Sequence, residues 1–366
     1  MVHSKTLSPP RPGCTIAGIL ELEDGCLRVT LIKAVMRDTQ RAKEWPGKIK
    51  KGVPMSSVSA TLKPSRASTL LPRFAWAVLA YNVAAILWGA VVRATSSGAG
   101  CGDHWPLCNG VVVQTHPQLA TLIELTHRMT AGITVIAVLL LLVWVFRSTV
   151  AGRLARITVV AATLLIFNEA LLGALLVLLR LTADNRSPAR AVYLSLHLAN
   201  TLLLLAALAL SAHFVSNGDV FNRRTVHFRQ LPLTVTGLIA TLTVGVSGTL
   251  AALSDTLFPA TSVRAALAQD LSSGTNWLIR LRVLHPVSAV IAGVFIGWLL
   301  LRSFARPAER TLAVGVLSLL TLQFALGIAD VALLAPLWLQ ITHLLGADLL
   351  WIALVLLAAR VSVVAD

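Results

Sequence analysis

Residues 123–146 read IELTHRMTAGITVIAVLLLLVWVF, with three ionisable side chains directly before a long apolar run. The last eighteen residues of this stretch carry no charge. Because a transmembrane helix needs about 20 predominantly apolar residues, we predict that the stretch spans a membrane. Glu124, His127 and Arg128 are spaced i, i+3 and i+4, which puts them on one face of that helix. Ionisable groups inside a membrane are costly and therefore indicate a functional site.

The rest of the chain has the same apolar character. Of its 366 residues, 56% are hydrophobic and only 13% are charged, which excludes an ordinary soluble domain. We predict an all-α, polytopic membrane protein whose main surroundings are a lipid bilayer, and we expect no nucleic acid partner. The eight predicted transmembrane helices cover residues 74–92, 119–146, 157–179, 192–214, 231–253, 281–301, 311–333 and 338–359.

The distribution of basic residues predicts the orientation. Residues 1–72 contain 12 of the 31 Lys and Arg residues, and a basic segment before the first span favours a cytoplasmic N-terminus. Eight spans return the C-terminus to the same side. The loops agree only modestly, with nine arginines on the predicted inside against seven outside. We therefore expect a multi-pass protein of the cell membrane with both termini in the cytoplasm.

Residues 1–72 differ from the remainder of the chain. They are basic, show no sustained hydrophobic period, and lack the apolar core of about 7–15 residues that a signal peptide requires. We interpret them as a disordered cytoplasmic tail, or as the product of an upstream start codon with Met55 as the true first residue. A separate functional domain is less favoured, because such basic tracts of low hydrophobicity rarely fold alone.

The first predicted outside loop contains two cysteines, Cys101 and Cys108, among several glycines. An oxidising compartment on that side would favour a disulfide between them. A structural disulfide and a redox-active dithiol are equally favoured by the sequence. A zinc site is less favoured, because only Asp103 and His104 are near as further ligands.

The two halves of the chain contain corresponding motifs. These are His127-x-x-Thr130-Ala131 and His285-x-x-Ser288-Ala289, Glu169-x-x-Leu172-Gly173 and Gln323-x-x-Leu326-Gly327, and His197-Leu198 and His343-Leu344. We predict a duplicated unit of four helices, covering residues 73–217 and 218–366. Because each unit has an even number of spans, the copies keep one orientation and form a parallel, pseudo-twofold repeat of two tandem four-helix bundles.

Four histidines define the predicted cofactor site. His127, His197, His285 and His343 lie five to eight residues inside an even-numbered span, which corresponds to a depth of about 8–12 Å. Two imidazoles that face each other in a four-helix bundle can hold a haem iron. A single buried histidine is equally consistent with a structural core residue whose ring nitrogens are hydrogen-bonded within the protein. Four at equivalent depth in a duplicated context favour metal ligation.

The halves differ at the position three residues before the first histidine. Glu124 precedes His127, whereas Arg282 precedes His285. A carboxylate beside a porphyrin can take protons or stabilise a developing cation, and an arginine cannot. We therefore predict Glu124 as the catalytic residue, with an electron-transfer haem in the second half. Arg128 and Arg282 are predicted as further cofactor contacts, Arg282 through the haem propionates.

Residues 73–361 resemble the haem A synthase family. The resemblance is carried by the eight spans and by Glu124-x-x-His127-Arg128, Cys101 to Cys108 with Trp105-Pro106, His197, His285 and His343. It implies an oxidoreductase that oxidises the C8 methyl group of haem O to the formyl group of haem A. It implies that His127 and His197 bind this substrate haem, and that His285 and His343 hold haem B. Haem O synthase and the assembly factors of terminal oxidases are the implied partners, and a homo-oligomer is left open.

Two features depart from the family pattern. Some members carry a second cysteine pair between the fifth and sixth spans, but residues 254–280 contain no cysteine, and residues 1–72 are an extension.

The main alternative function is a di-haem cytochrome that relays electrons from a quinol. The difference between Glu124 and Arg282 argues against this alternative. A transporter built on a parallel repeat is less favoured. A disulfide-forming oxidase is least favoured, because no C-x-x-C motif is present.

Overall fold

Eight long apolar helices dominate the described part of the chain. The computed structural model describes residues 66–111, 114–148, 151–217, 225–226, 231–272, 274–303, 307–361 and 363–364. The eight spans in these ranges are long and apolar enough to cross a membrane. The predicted all-α, polytopic membrane class is therefore confirmed.

The helices follow one another along the chain. In chain order the elements are α1 Arg66–Ala94, a 3₁₀ turn Ser97–Ala99, α2 Leu119–Arg147, α3 Arg153–Leu178, α4 Pro188–Asn217, β1 Thr225–Val226, α5 Leu231–Leu257, α6 Val263–Leu271, α7 Trp277–Arg282, α8 Leu284–Ser303, α9 Pro307–Ala332, α10 Leu337–Val361 and β2 Val363–Val364. Helices α7 and α8 together form the sixth span.

The sixth span is broken where the sequence predicted one continuous helix. Helix α7 ends at Arg282, and α8 begins at Leu284. Pro286 lacks the N–H group that would bond to the carbonyl of Arg282 four residues earlier, so the helical hydrogen-bond pattern is interrupted there. The first half has Arg128 at the position of Pro286, and α2 continues without a break.

The short helix α6 was not predicted from the sequence. Its N-cap is Ser262, whose hydroxyl oxygen accepts a hydrogen bond from the backbone N of Ala265 (3.1 Å).

The spans pack as two rings of four helices. In the first ring α1, α2, α3 and α4 contact their neighbours in order, and α4 closes on α1. In the second ring α5, α8, α9 and α10 do the same. Helices α1 and α4 of the first ring contact α5 and α10 of the second. Exchanging the two halves converts the contact between α1 and α10 into the contact between α5 and α4. A pseudo-twofold repeat requires this relation.

Helix α10 joins the two rings. The largest cluster of buried apolar side chains fills the first ring and includes Trp351, Ile352 and Val355 of α10. The indole N–H of Trp351 donates to the backbone carbonyl of Leu202 in α4 (2.6 Å). Because lipid tails are as apolar as these side chains, such close packing and interhelical hydrogen bonds hold membrane helices together. The two rings consequently form one compact unit.

The ends of the described chain differ in detail from the prediction. Helix α1 begins at Arg66, so the last seven residues of the predicted tail are helical, and residues 1–65 lie outside the described residues. Strands β1 and β2 pair antiparallel, with Thr225 opposite Val364 and Val226 opposite Val363. This pairing brings the connection after α4 next to the segment after α10. A pairing of two residues has no sequence period that could predict it.

Candidate cofactor-binding site

Each of the four predicted ligand histidines lies against a glycine of the preceding span. The pairs are Gly89 with His127, Gly173 with His197, Gly248 with His285 and Gly327 with His343. A Cβ atom at Gly89 or at Gly248 would lie 2.9 Å from the neighbouring imidazole. At the other two glycines it would lie 3.7 and 3.3 Å away. Glycine therefore provides the space that each imidazole occupies.

This pattern of glycines was missed by the sequence reasoning, although the repeat contained a signal for it. Gly89 and Gly248 are 159 residues apart, and His127 and His285 are 158 residues apart. Each motif of the repeat lies within a single helix, whereas each of these contacts joins two helices. The correspondence becomes meaningful only when the packing of odd and even spans is known.

The histidine pair of the second half has the geometry that a shared metal ion needs. The ring centroids of His285 and His343 are 6.3 Å apart, and their planes are inclined by 88°. Bonds between a metal and an imidazole nitrogen are about 2 Å long, so two imidazoles on opposite sides of one ion have centroids about 6 Å apart. The Nδ1 atom of His285 lies 3.2 Å from the carbonyl of Val244, which leaves Nε2 for a metal. These residues fit a haem held by two histidines.

The pair in the first half also fits an added group. The Nδ1 atom of His127 is buried and has no hydrogen-bond partner within the described ranges. The Nδ1 atom of His197 lies 3.5 Å from Oε1 of Glu169, within ion-pair distance but without the geometry of a hydrogen bond. Buried polar atoms are normally paired, so imidazoles left in this way are typical of a site that another group completes.

Glu124 joins the loop between α1 and α2 to α2. This side chain is 3% exposed, and its Oε2 accepts a hydrogen bond from the backbone N of Cys101 (2.8 Å). Its Oε1 accepts two from Arg128, from Nε (3.2 Å) and from Nη2 (2.6 Å). Arg128 in turn donates to the carbonyls of His104 (2.7 Å) and Leu107 (2.8 Å). Arg128, predicted as a cofactor contact, therefore holds the loop. Each carboxylate oxygen has two lone pairs, so Glu124 keeps acceptor capacity for a further group.

The loop that Glu124 holds contains a disulfide between Cys101 and Cys108. Both cysteines are almost completely buried, at 0% and 1% exposure. Reagents reach buried sulfurs poorly, so this environment favours a structural role over a redox-active one.

A surface ion pair attaches the same loop to the turn after α3. The guanidinium of Arg180 contacts Asp103 at 2.5 Å, and this hydrogen bond holds the pKa of Asp103 below its usual value. Both side chains are exposed, so the pair contributes little to stability. Its effect is to keep the carboxylate of Asp103 ionised to lower pH than usual.

The family comparison covers most of the chain. Residues 72–355 match the protein family described as Cytochrome oxidase assembly protein. The chain belongs to this family. With its eight apolar spans, this family member is a multi-pass membrane protein.

Curated relatives match parts of this family member. A Thermus thermophilus protein named Protoheme IX farnesyltransferase is 47% identical over 291 residues, which are 79% of the present chain and 48% of that protein. The Heme A synthase of Alkalihalophilus pseudofirmus is 40% identical over 89 residues, covering 24% of the chain and 30% of that protein. That of Halalkalibacterium halodurans is 39% identical over 92 residues, covering 25% and 31%. The chain spans about half the length, or less, of the curated relatives it matches.

Arg282 has other partners than the predicted haem propionates. Its guanidinium forms ion pairs with Asp255 (2.8 Å) and Asp270 (2.6 Å). The two carboxylates come from α5 and α6. The sequence reasoning treated this region as a loop and therefore could not anticipate that α6 carries Asp270 to Arg282. The arginine thus ties three elements of the second half together at the end of the sixth span.

Proposed function

We propose that this family member is a haem A synthase, an oxidoreductase that converts the C8 methyl group of haem O into the formyl group of haem A. The observation that carries the proposal is that all four imidazoles lie against glycines, with the rings of His285 and His343 6.3 Å apart. Family membership and the relatives named Heme A synthase give independent support.

The two histidine pairs have different roles in this proposal. His127 and His197 would hold the substrate haem, while His285 and His343 would hold haem B. Bound haem iron supplies the capacity to take and give single electrons. The chain would supply the ligands and a surrounding of apolar helices. A haem O synthase would provide the substrate, and terminal oxidases with their assembly factors would receive the product.

Glu124 is the acid–base group of the proposed reaction. It lies one helical turn before His127, on the same face of α2, and it is buried. Oxidation of a methyl group to a formyl group, with an oxygen atom from water, releases protons and electrons. Bound haem iron would take the electrons, and a carboxylate at this position can accept the protons. Arg282 occupies the corresponding position of the second half and is engaged by two aspartates. This difference supports placing the chemistry in the first half.

The name of the Thermus protein supports a second candidate, the transfer of a farnesyl group to protoheme IX. That relative is about twice as long as the matched region, since the match covers 48% of it. The name describes the whole relative, and the unmatched half is sufficient for another catalytic unit. We therefore rank farnesyl transfer below haem A formation for the present chain.

Haem extraction tests the proposed function directly. The full chain is produced in cells that contain haem O, purified, and its extracted pigments are identified by their side groups. We expect haem B together with haem A. Replacing Glu124 by Gln should lower haem A formation roughly 10²- to 10⁴-fold while haem B stays bound, since general acid–base groups contribute about that much.

A matched variant separates chemistry from loop attachment. The hydroxyl of Thr121 also holds the loop, by donating to the carbonyl of Gly100 (2.7 Å). Thr121→Ala should retain haem A formation, because it leaves the carboxylate in place. Haem A formed by the Glu124→Gln variant would refute the acid–base role.

Other results would favour other functions. Haem B alone, despite supplied haem O, would favour an electron relay, and absence of all haem would favour a transporter. Farnesylation of protoheme IX would favour the second candidate.

A further inference from the structure

The two halves differ in charge at a second position, beside the other histidine of each pair. Glu169 of α3 and Gln323 of α9 correspond in the repeat, each four residues before a glycine that seats a histidine. Glu169 lies next to His197, and Gln323 lies next to His343. Neither the proposed acid–base chemistry nor the loop uses these residues.

Glu169 is held in place by neighbours on α4. Asn200 donates to its Oε2 (2.6 Å), and the hydroxyl of Thr201 donates to its Oε1. The amide of Asn200 is itself fixed, because its oxygen accepts a hydrogen bond from Asn168 (2.8 Å). These hydrogen bonds fix the position of the carboxylate independently of any contact with an imidazole.

The fixed carboxylate faces the imidazole of His197. Oε1 of Glu169 lies 3.5 Å from Nδ1 of His197, and that nitrogen has no hydrogen bond within the described ranges. An approach of about 0.5 Å would bring the pair to the usual hydrogen-bond distance. The Nδ1–H group would then point at the carboxylate, and Nε2 would be left to bind a metal.

The second half has neutral groups beside its imidazoles, and Gln323 lies near Nε2 of His343, whereas Glu169 lies near Nδ1 of His197. Gln323 donates through its amide to the backbone carbonyl of His343 (2.8 Å) and lies 3.5 Å from Nε2 of that histidine. The Nδ1 atom of His285 lies near the carbonyl of Val244 (3.2 Å) and the hydroxyl of Ser247 (3.3 Å). Within the described part of the chain, no carboxylate forms an ion pair with His285 or His343.

A carboxylate that accepts the N–H of a metal-bound imidazole makes this ligand more basic and fixes its orientation. A more basic ligand stabilises the oxidised metal, and hydrogen bonding around the ligands is one of the means by which proteins set haem potentials. A neutral amide or carbonyl has a weaker effect. The charge difference between Glu169 and Gln323 should consequently separate the potentials of the two sites.

We infer that Glu169 is a positioning residue that orients His197 and makes a haem in the first half harder to reduce than the haem in the second half. The inference rests on the proposed function, because it requires haem at both histidine pairs. It assigns to Glu169 an effect that acts through His197 and does not require contact with the substrate. It also assigns a chemical effect to the difference between Glu169 in the first half and Gln323 in the second half.

A redox titration of the purified full chain, with haem content measured on the same sample, tests the inference. Glu169→Gln should raise the midpoint potential of one haem component and leave the other unchanged. Gln323→Glu should lower the potential of the component that Glu169→Gln does not affect. Glu169→Asp keeps the charge and should restore the potential at least in part. A merely structural role would change haem content without this pattern of opposite shifts.

The outcomes separate this inference from the proposed function. A wild-type protein without haem would refute both. A wild-type protein with two haems, whose potentials are unchanged by Glu169→Gln and by Gln323→Glu, would refute only the inference. If Glu169→Gln lost its first-half haem, the reciprocal Gln323→Glu variant would decide, since it adds a carboxylate to a site that keeps its histidines. A lowered potential in that variant supports the inference, and an unchanged one refutes it.

Discussion

At the scale of single residues, the site depends on glycines as much as on histidines. Only a hydrogen atom fits between the backbone of α5 at Gly248 and the imidazole of His285, because a Cβ there would lie 2.9 Å from Cε1 and 3.2 Å from Nδ1. Interiors of proteins are closely packed, so an added methyl group must displace the ring. The ring that would move is a predicted iron ligand.

We therefore expect Gly248→Ala to weaken haem retention by the second half roughly tenfold, in the range seen when the support of a metal ligand is removed. The measurement is the ratio of haem B to protein after purification. Gly297→Ala is the matched control, because no atom lies within 4 Å of a Cβ at Gly297. Equal haem content in the two variants would contradict the idea that Gly248 seats His285.

The residue scale also shows where sequence reasoning was limited. Glu124 was recognised as a buried acid–base group, and the structure places it under the disulfide loop, with Cys101 and Arg128 as donors. Only Arg128, one turn away, could be found from helical spacing. The contact with Cys101 depends on the path of the loop over α2, which no local pattern records.

At the scale of helices, Arg93 joins the two rings. It lies in the last turn of α1, and its guanidinium donates to the carbonyl of Ala252 (2.7 Å) and the hydroxyl of Thr256 (2.8 Å) in α5. It also donates to the amide oxygen of Gln340 in α10 (2.8 Å). The sequence counted Arg93 only among the arginines of the outside loops. Its partners are 159 to 247 residues away, so they could not be inferred from spacing.

Replacing Arg93 by Ala should destabilise the contact between the rings by about 1.5–3 kcal/mol, the typical contribution of a hydrogen bond to a charged group. Denaturant-induced unfolding in detergent, followed by helical circular dichroism, measures the change. Arg264→Ala in the exposed part of α6 is the control and should alter the midpoint little. If both substitutions had the same effect, the interactions of Arg93 would not stabilise the contact between the rings.

The break between α7 and α8 is another effect at this scale. The sequence placed one continuous span at residues 281–301, whereas the span covers Trp277–Arg302 and consists of two helices. Pro286 directly follows His285, and a proline interrupts helical hydrogen bonding, so the sequence contains a signal for this break. The consequence is local, because both pieces still form a single span.

At the scale of the whole molecule, the eight spans and the basic residues predict which ends face the cytoplasm. Reporter fusions test this orientation. Alkaline phosphatase, active only outside the cytoplasm, should be active when fused after Gly110 or after Asp184. It should be inactive when fused after Ser148 or after Ser303. The reverse pattern would contradict the predicted orientation while leaving the eight spans intact. Activity at neighbouring loops would contradict the number of spans.

The sequence by itself determined the class of the protein, the number of spans, the parallel repeat and the positions of the four histidines. These properties depend on apolar length and on spacing along the chain, which are local and can be counted. The tertiary structure decided which glycine seats each histidine, that Arg282 pairs with Asp255 and Asp270, and that Glu169 faces His197. These features require helices distant in sequence to pack at a particular depth and rotation. Side-chain packing between helices across the bundle sets this depth and rotation. The sequence of a single segment does not contain that information.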